Sequence, residues 1–70
     1  MRYRELARRL RKLGCEYLRP GAGSHRIWWN PALDRYTTIP DWGSKDIRPG
    51  TLRRILRDLG IGRREFGPIK

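Results

Sequence analysis

The first apolar positions of the chain, Tyr3, Leu6, Leu10 and Leu13, fall three or four apart, with Arg8, Arg9, Arg11 and Lys12 between them. That spacing describes one face of an amphipathic helix and predicts a helix over Tyr3 to Leu13, stopped by Gly14. Leu52, Ile55, Leu56 and Leu59 repeat the pattern near the other end, and Gly60 stops it in the same way. In both places an apolar residue, Cys15 or Ile61, directly follows the glycine, as expected where a Schellman turn folds a side chain back onto the helix it ends. Between the helices the period shortens to two. Cys15 to Arg19 predicts a short strand ended by the turn Pro20-Gly21-Ala22-Gly23, and His25 to Trp29 a stronger one. Asn30 to Arg35 is then a hairpin loop, and Tyr36 to Ile39 the returning strand, stopped by Pro40.

The order α-β-β-β-α predicts an α+β fold. A three-stranded antiparallel sheet with both helices on one face buries two helical stripes and one sheet face together. Asp41 to Gly50 is a polar connection, and Gly62 to Lys70 a tail in which Arg63-Arg64-Glu65-Phe66 forms a last helical turn anchored by Phe66. No stretch is long enough to serve as a linker, so one domain over 1–70 is expected, with its core at about 3–66.

Composition narrows what such a domain can hold. Seventy residues cost on the order of 100 kcal/mol of conformational entropy to order, and only 37% are hydrophobic. Nearly all of these are needed for the core, which leaves little for a deep cofactor pocket. One cysteine excludes an internal disulfide, and one histidine beside it excludes a Cys/His zinc site. The sparse carboxylates Asp34, Asp41, Asp46 and Asp58 show no two-metal pattern, so neither a metal nor an organic cofactor is expected. No apolar run approaches the length of a membrane span and the first residues form no signal core, so a soluble, cytoplasmic protein is expected.

Charge adds a partner. Seventeen Lys and Arg against seven Asp and Glu give a formal net charge of +10, and fourteen of the cations are Arg. Arginine binds phosphate oxygens in a fork and stacks on bases, so the bias favours nucleic acid over a merely solubilising surface. A membrane surface fits less well, because the apolar helix faces are needed for the core.

Strict alternation groups His25, Ile27 and Trp29 on one face of the second strand, and Arg26 and Trp28 on the other. With Ile27 and Trp29 assigned to the core, Trp28 becomes a candidate for base stacking or a protein interface. His25, at the mouth of the Gly21-Ala22-Gly23-Ser24 loop, reads on spacing alone first as a hydrogen-bonded structural residue. The alternative is a proton-exchanging group, since histidine ordinarily titrates near neutral pH. Ser24 points the other way and is no nucleophile for it. Cys15, on the core side, suits a buried inert thiol. Arg53 and Arg54, taken as the first turn of the second helix, would meet an arriving phosphate together with free backbone N–H groups.

Taken in order, several blocks resemble the HicA toxins of prokaryotic HicA–HicB toxin–antitoxin systems: Leu13-Gly14, Gly23-Ser24-His25, Thr37-Thr38-Ile39-Pro40, and the run from Lys45-Asp46-Ile47-Arg48-Pro49 through Gly50-Thr51-Leu52-Arg53-Arg54-Ile55-Leu56. The resemblance runs from about Tyr3 to Phe66. It implies a fold like the double-stranded RNA-binding domain and an mRNA interferase that cleaves RNA and arrests translation. It also implies a HicB antitoxin that covers the active surface, and it places the functional histidine on His25. Ala22-Gly23-Ser24-His25 sits where double-stranded RNA-binding domains touch the minor groove. RNA contacts are therefore expected at Gly23, Ser24, Arg26, Trp28, Lys45, Arg53 and Arg54. The chain departs from the family pattern where many relatives carry a second histidine shortly after the proline matching Pro40; here Asp41-Trp42 stands instead. A structured-RNA binder without catalysis, and an interaction module for an acidic protein, are the alternative readings.

Overall fold

A computed structural model describes residues 1–68, so the last two positions of the expected tail, 69 and 70, lie outside the described residues. The elements are α1 (Tyr3–Lys12), β1 (Glu16–Pro20), β2 (His25–Asn30), β3 (Arg35–Pro40), α2 (Pro49–Leu59) and α3 (Arg63–Phe66). The strands form one antiparallel sheet in the order β1-β2-β3, which gives the expected α+β architecture. Pro40 ends β3, an edge strand, where its missing N–H breaks no ladder.

Both helices end as their glycines predict. After α1, the Cys15 and Gly14 N–H groups donate to the carbonyls of Leu10 and Arg11. After α2, Ile61 and Gly60 donate to Leu56 and Arg57, and Cys15 and Ile61 are buried. Gly60 adopts φ 72°, and a Cβ there would stand 2.5 Å from Leu33 Cδ1, because the β2–β3 hairpin leans over this helix end. The hairpin also satisfies α2's last carbonyls. Asn30 Nδ2 donates to Leu59 O at 2.7 Å, while Arg35 Nε and Nη2 donate to Asp58 O and Arg57 O at 2.9 and 3.0 Å. A cation at a helix C-terminus also faces the negative end of the macrodipole.

Leu6 and Leu10 of α1, Leu52, Ile55 and Leu59 of α2, and Trp28 and Ile39 of the sheet are fully buried together. Trp28 and Asn30, two apart on β2, meet α1 and α2 respectively, so both helices cover the same face. Phe66 of α3 is buried as expected, with the Arg9 guanidinium 5.2 Å over its ring.

That packing reverses the expected sign of the β2 alternation. The grouping holds, but Arg26, Trp28 and Asn30 face the helices, whereas His25, Ile27 and Trp29 lie on the open face. The register explains it. The hairpin pairs Asn30 with Arg35, Trp28 with Thr37 and Arg26 with Ile39. Ile39, the only aliphatic residue of β3, must be buried, and it carries the even-numbered β2 positions inward with it. Trp28 is then 0% exposed, so the expectation that it stacks on RNA bases is corrected. Its Nε1–H donates to Tyr3 Oη at 3.1 Å, Tyr3 and Tyr17 meet it edge-on, and the Arg11 guanidinium lies 5.2 Å from its ring.

Candidate functional site

The β1–β2 turn sets His25. The His25 N–H donates to Ala22 O at 3.0 Å, and Gly23 at the first central position has φ 58°. Positive φ confined to that position is the signature of a type II′ hairpin turn, which glycine adopts without steric cost. Gly21 N–H closes back onto His25 O at 3.0 Å, and Asp41 N–H onto Ser24 O at 2.9 Å. Gly23 and Ser24 therefore shape the backbone around the histidine.

The His25 side chain is exposed, and its Nδ1 lies 3.0 Å from Ala22 O. A carbonyl only accepts, so Nδ1 carries a hydrogen, and in the neutral imidazole Nε2 is then the nitrogen with the lone pair. Arg26 starts on the opposite face and returns to the same rim. Its Nη1 donates to His25 O at 3.4 Å, and Nη2 pairs with Asp41 Oδ2 at 3.4 Å. Asp41, one of the two residues at the departure from the family pattern, also accepts from Gly43 N–H at 3.2 Å. Trp42 beside it is 41% exposed. It lines a surface cleft with Lys45, Asp46 and Arg48. Among the described residues Lys45 and Arg48 have no carboxylate partner within ion-pair distance. Lys45 is thus available to an anion, at the loop that leaves His25's neighbour strand.

Arg53 and Arg54 do not form the expected pair at a helix N-terminus. Pro49, whose fixed φ suits a first helical position, starts α2 three residues before the apolar stripe begins, which puts both arginines in the second turn. They also diverge. Arg53 lines a cleft with Leu56, Arg57, Ile61 and Arg63. Arg54 binds the β3 edge, its Nη1 2.9 Å from Asp58 Oδ2 and its Nη2 3.0 Å from Thr38 O. Thr37 Oγ1 donates to the same Asp58 oxygen at 3.0 Å. Arg54 is therefore held as a tie between α2 and β3, with its charge partly offset.

The reversed alternation gathers residues the sequence reading left apart. On the open face His25 shares β2 with Ile27 and Trp29; Thr38 and Tyr36 stand opposite these two on β3, and Arg19 opposite Ile27 on β1. Trp29 and Tyr36 are stacked, 6.2 Å between centroids at 19°. Trp29 Nε1–H donates to Asp34 Oδ1 at 3.1 Å. The signal for this cluster was the loop length between β2 and β3, which fixes the register and so the face. Cys15 is buried as expected, its thiol pushed up by desolvation and then by the Glu65 charge, which suits an inert group.

The molecule is thus a small, strongly basic α-β-β-β-α-α protein with an accessible histidine at the end of its central strand. Residues 3–61 match the family model described as HicA toxin of bacterial toxin-antitoxin. The chain belongs to the HicA toxin family. No curated protein and no solved structure matches it. Among the described residues no helix is long and apolar enough to cross a membrane.

Proposed function

We propose that this HicA-family chain is an endoribonuclease that cuts mRNA with His25 as its proton-transfer group, and that a HicB-type antitoxin restrains it by covering the same surface. The observation that carries the reading is the histidine's geometry: Nδ1–H tied to Ala22 O leaves Nε2 as an accessible base on an exposed rim.

RNA supplies its own nucleophile, so the chemistry needs a base, a cationic clamp and a proton for the leaving group. Nε2 takes the proton of the 2′-hydroxyl, and the 2′-oxygen attacks the adjacent phosphorus. The bond from phosphorus to the 5′-oxygen breaks, and that oxygen takes a proton from the imidazolium or from water. The products are a 2′,3′-cyclic phosphate and a 5′-hydroxyl. No metal takes part in these steps. Arg26 and Lys45 are the cations assigned to the phosphates, with Arg53 and the arginines of α1 on flanking backbone or on the antitoxin. Gly23 and Ser24 serve RNA by holding the turn that aims the imidazole.

The test is purified protein with RNA in EDTA, followed by sequencing of the ends. Cleavage with 5′-hydroxyl termini is expected, and His25→Ala should lose about 10²- to 10⁴-fold in rate while keeping its melting transition. A folded His25→Ala protein that cuts at the parent rate overturns the assignment. Intact RNA held in a salt-sensitive complex would mean that the chain binds RNA without cutting it.

A further inference from the structure

Arg19, Ile27, Thr38 and Tyr36 line a groove of about 440 Å³ on the open sheet face, which Arg54 closes at the β3 edge. Its floor is the Ile27–Thr38 cross-strand pair, one pair along from His25–Pro40 on the same face. Two residues of strand separate them, about 7 Å, roughly the reach of one extended nucleotide. One wall is the ring of Tyr36, 53% exposed, whose position is set by its stack on Trp29 and by the Trp29–Asp34 hydrogen bond behind it. The other wall is Arg19.

Charge is graded along this face. Arg19 and the Arg54–Asp58 pair flank the row next to His25. The carboxylates Glu16 and Asp34 stand at the far end, beside Trp29 and Tyr36. Phosphates are favoured near His25 and disfavoured past the aromatic pair, which leaves the ring to a base. Desolvation and then Asp34, through its charge and its hydrogen bond, push the Tyr36 hydroxyl above its ordinary value, with Arg19 opposing.

We propose that this groove is a nucleobase subsite for single-stranded RNA, in which the base next to the cut phosphate lies against Tyr36 and Ile27 while its own phosphate meets Arg19. The inference rests on RNA being the substrate. A stacking platform accepts any base face, and Thr38 on the floor and Arg54 at the rim supply the polar groups that distinguish base edges. The subsite places the strand so that its neighbouring 2′-hydroxyl comes to His25 Nε2.

A mixed-sequence 2′-O-methyl oligonucleotide lacks the nucleophile, so its binding is read independently of cleavage. Tyr36→Ala should weaken that binding roughly 5- to 150-fold, the range for removing one stacking aromatic. Tyr36→Phe should stay close to the parent. Arg19→Ala should weaken binding across sequences and lower the salt slope by about one. On natural RNA, Thr38→Ala should change the base preference beside the cut, which a merely structural role would not. Melting of the exposed Tyr36→Ala variant confirms its fold. Parent-like affinity in Tyr36→Ala overturns the subsite, as does loss of affinity for a protein partner alone, or a parent protein that does not bind the oligonucleotide. Weakened binding by Tyr36→Ala alongside full cleavage by His25→Ala would leave the subsite standing and remove the histidine mechanism.

Discussion

The two faces of the β2–β3 hairpin differ by one residue of phase and by almost everything else. Toward the helices, Trp28, Ile39, Thr37 and Asn30 are all buried, and every polar atom there is satisfied: Trp28 by Tyr3, Thr37 by Asp58, Asn30 by Leu59 O and Ala32 N–H. Toward solvent, His25, Tyr36 and Thr38 are exposed, Ile27 and Trp29 half-buried, and the imidazole uses Nδ1 for its bond to Ala22 O. The adjacent tryptophans make the contrast sharpest. Trp28 holds the fold together through α1 and β1, while Trp29 holds one neighbouring ring in place. Because alternation separates the two faces so cleanly, substitutions on the open face can alter that surface with little effect on the core.

Replacing the tryptophans one at a time breaks the comparison most directly. Trp28→Ala removes a fully buried ring and leaves the Tyr3 hydroxyl without its donor, and a loss of about 3–5 kcal/mol is expected. That is comparable to the whole stability of a chain this short, at roughly 0.05–0.15 kcal/mol per residue. Trp29→Ala, by contrast, should lose only about 0.5–1.5 kcal/mol in urea unfolding, the range for one aromatic pair, because its ring is partly exposed and its partner Tyr36 lies on the surface. Equal losses for the two variants would refute the division of labour.

Asn30 tests the same face at a smaller scale. Its side chain joins the hairpin to the end of α2 and caps its own loop through Ala32 N–H at 3.2 Å. Asn30→Ala leaves a buried helix carbonyl without a partner, and about 1–3 kcal/mol should be lost. Asn30→Asp puts a carboxylate against Leu59 O and should be worse than Asn30→Ala. If Asn30→Asp instead matches the parent in denaturant, the hydrogen bond to Leu59 O contributes nothing.

Much of this was legible in the residues, and the parts that were not failed for physical reasons. The helix stripes and the glycines after them located both helices, because apolar spacing and left-handed caps are local. His25 stood out as a single titratable group after a glycine turn. The face of β2 was not legible from alternation alone, since Ile27 and Trp29 outweigh Trp28 and hydrophobicity favours the wrong face. The choice is made by β3, through Ile39 and the register of the hairpin, a contact between segments. Arg53 and Arg54 were misplaced for a similar reason. The apolar stripe begins at Leu52, while Pro49 starts the helix earlier than any side chain is buried.

The smallest expected effect lies at the edge of the buried side. Cys15 follows the α1 cap and is packed in the core, and its thiol is raised by desolvation first and by Glu65 second. A raised thiol stays protonated in the folded chain at a pH where the unfolded chain has begun to release its proton. The unfolded state then binds fewer protons, and stability falls as pH rises. The contribution is intact below the ordinary thiol range and is lost as pH climbs from there through the raised folded value. One group sets a ceiling of about 1.4 kcal/mol per pH unit on this slope. Lysine and tyrosine titrate in the same region, so the comparison that isolates the thiol is parent against Cys15→Val, unfolded in urea from pH 7.5 to pH 10. The parent should lose stability more steeply, and its thiol should react slowly with a disulfide reagent until urea opens the core. Parallel pH profiles, or rapid modification of the folded chain, would mean that the burial beneath the α1 cap does not protect Cys15.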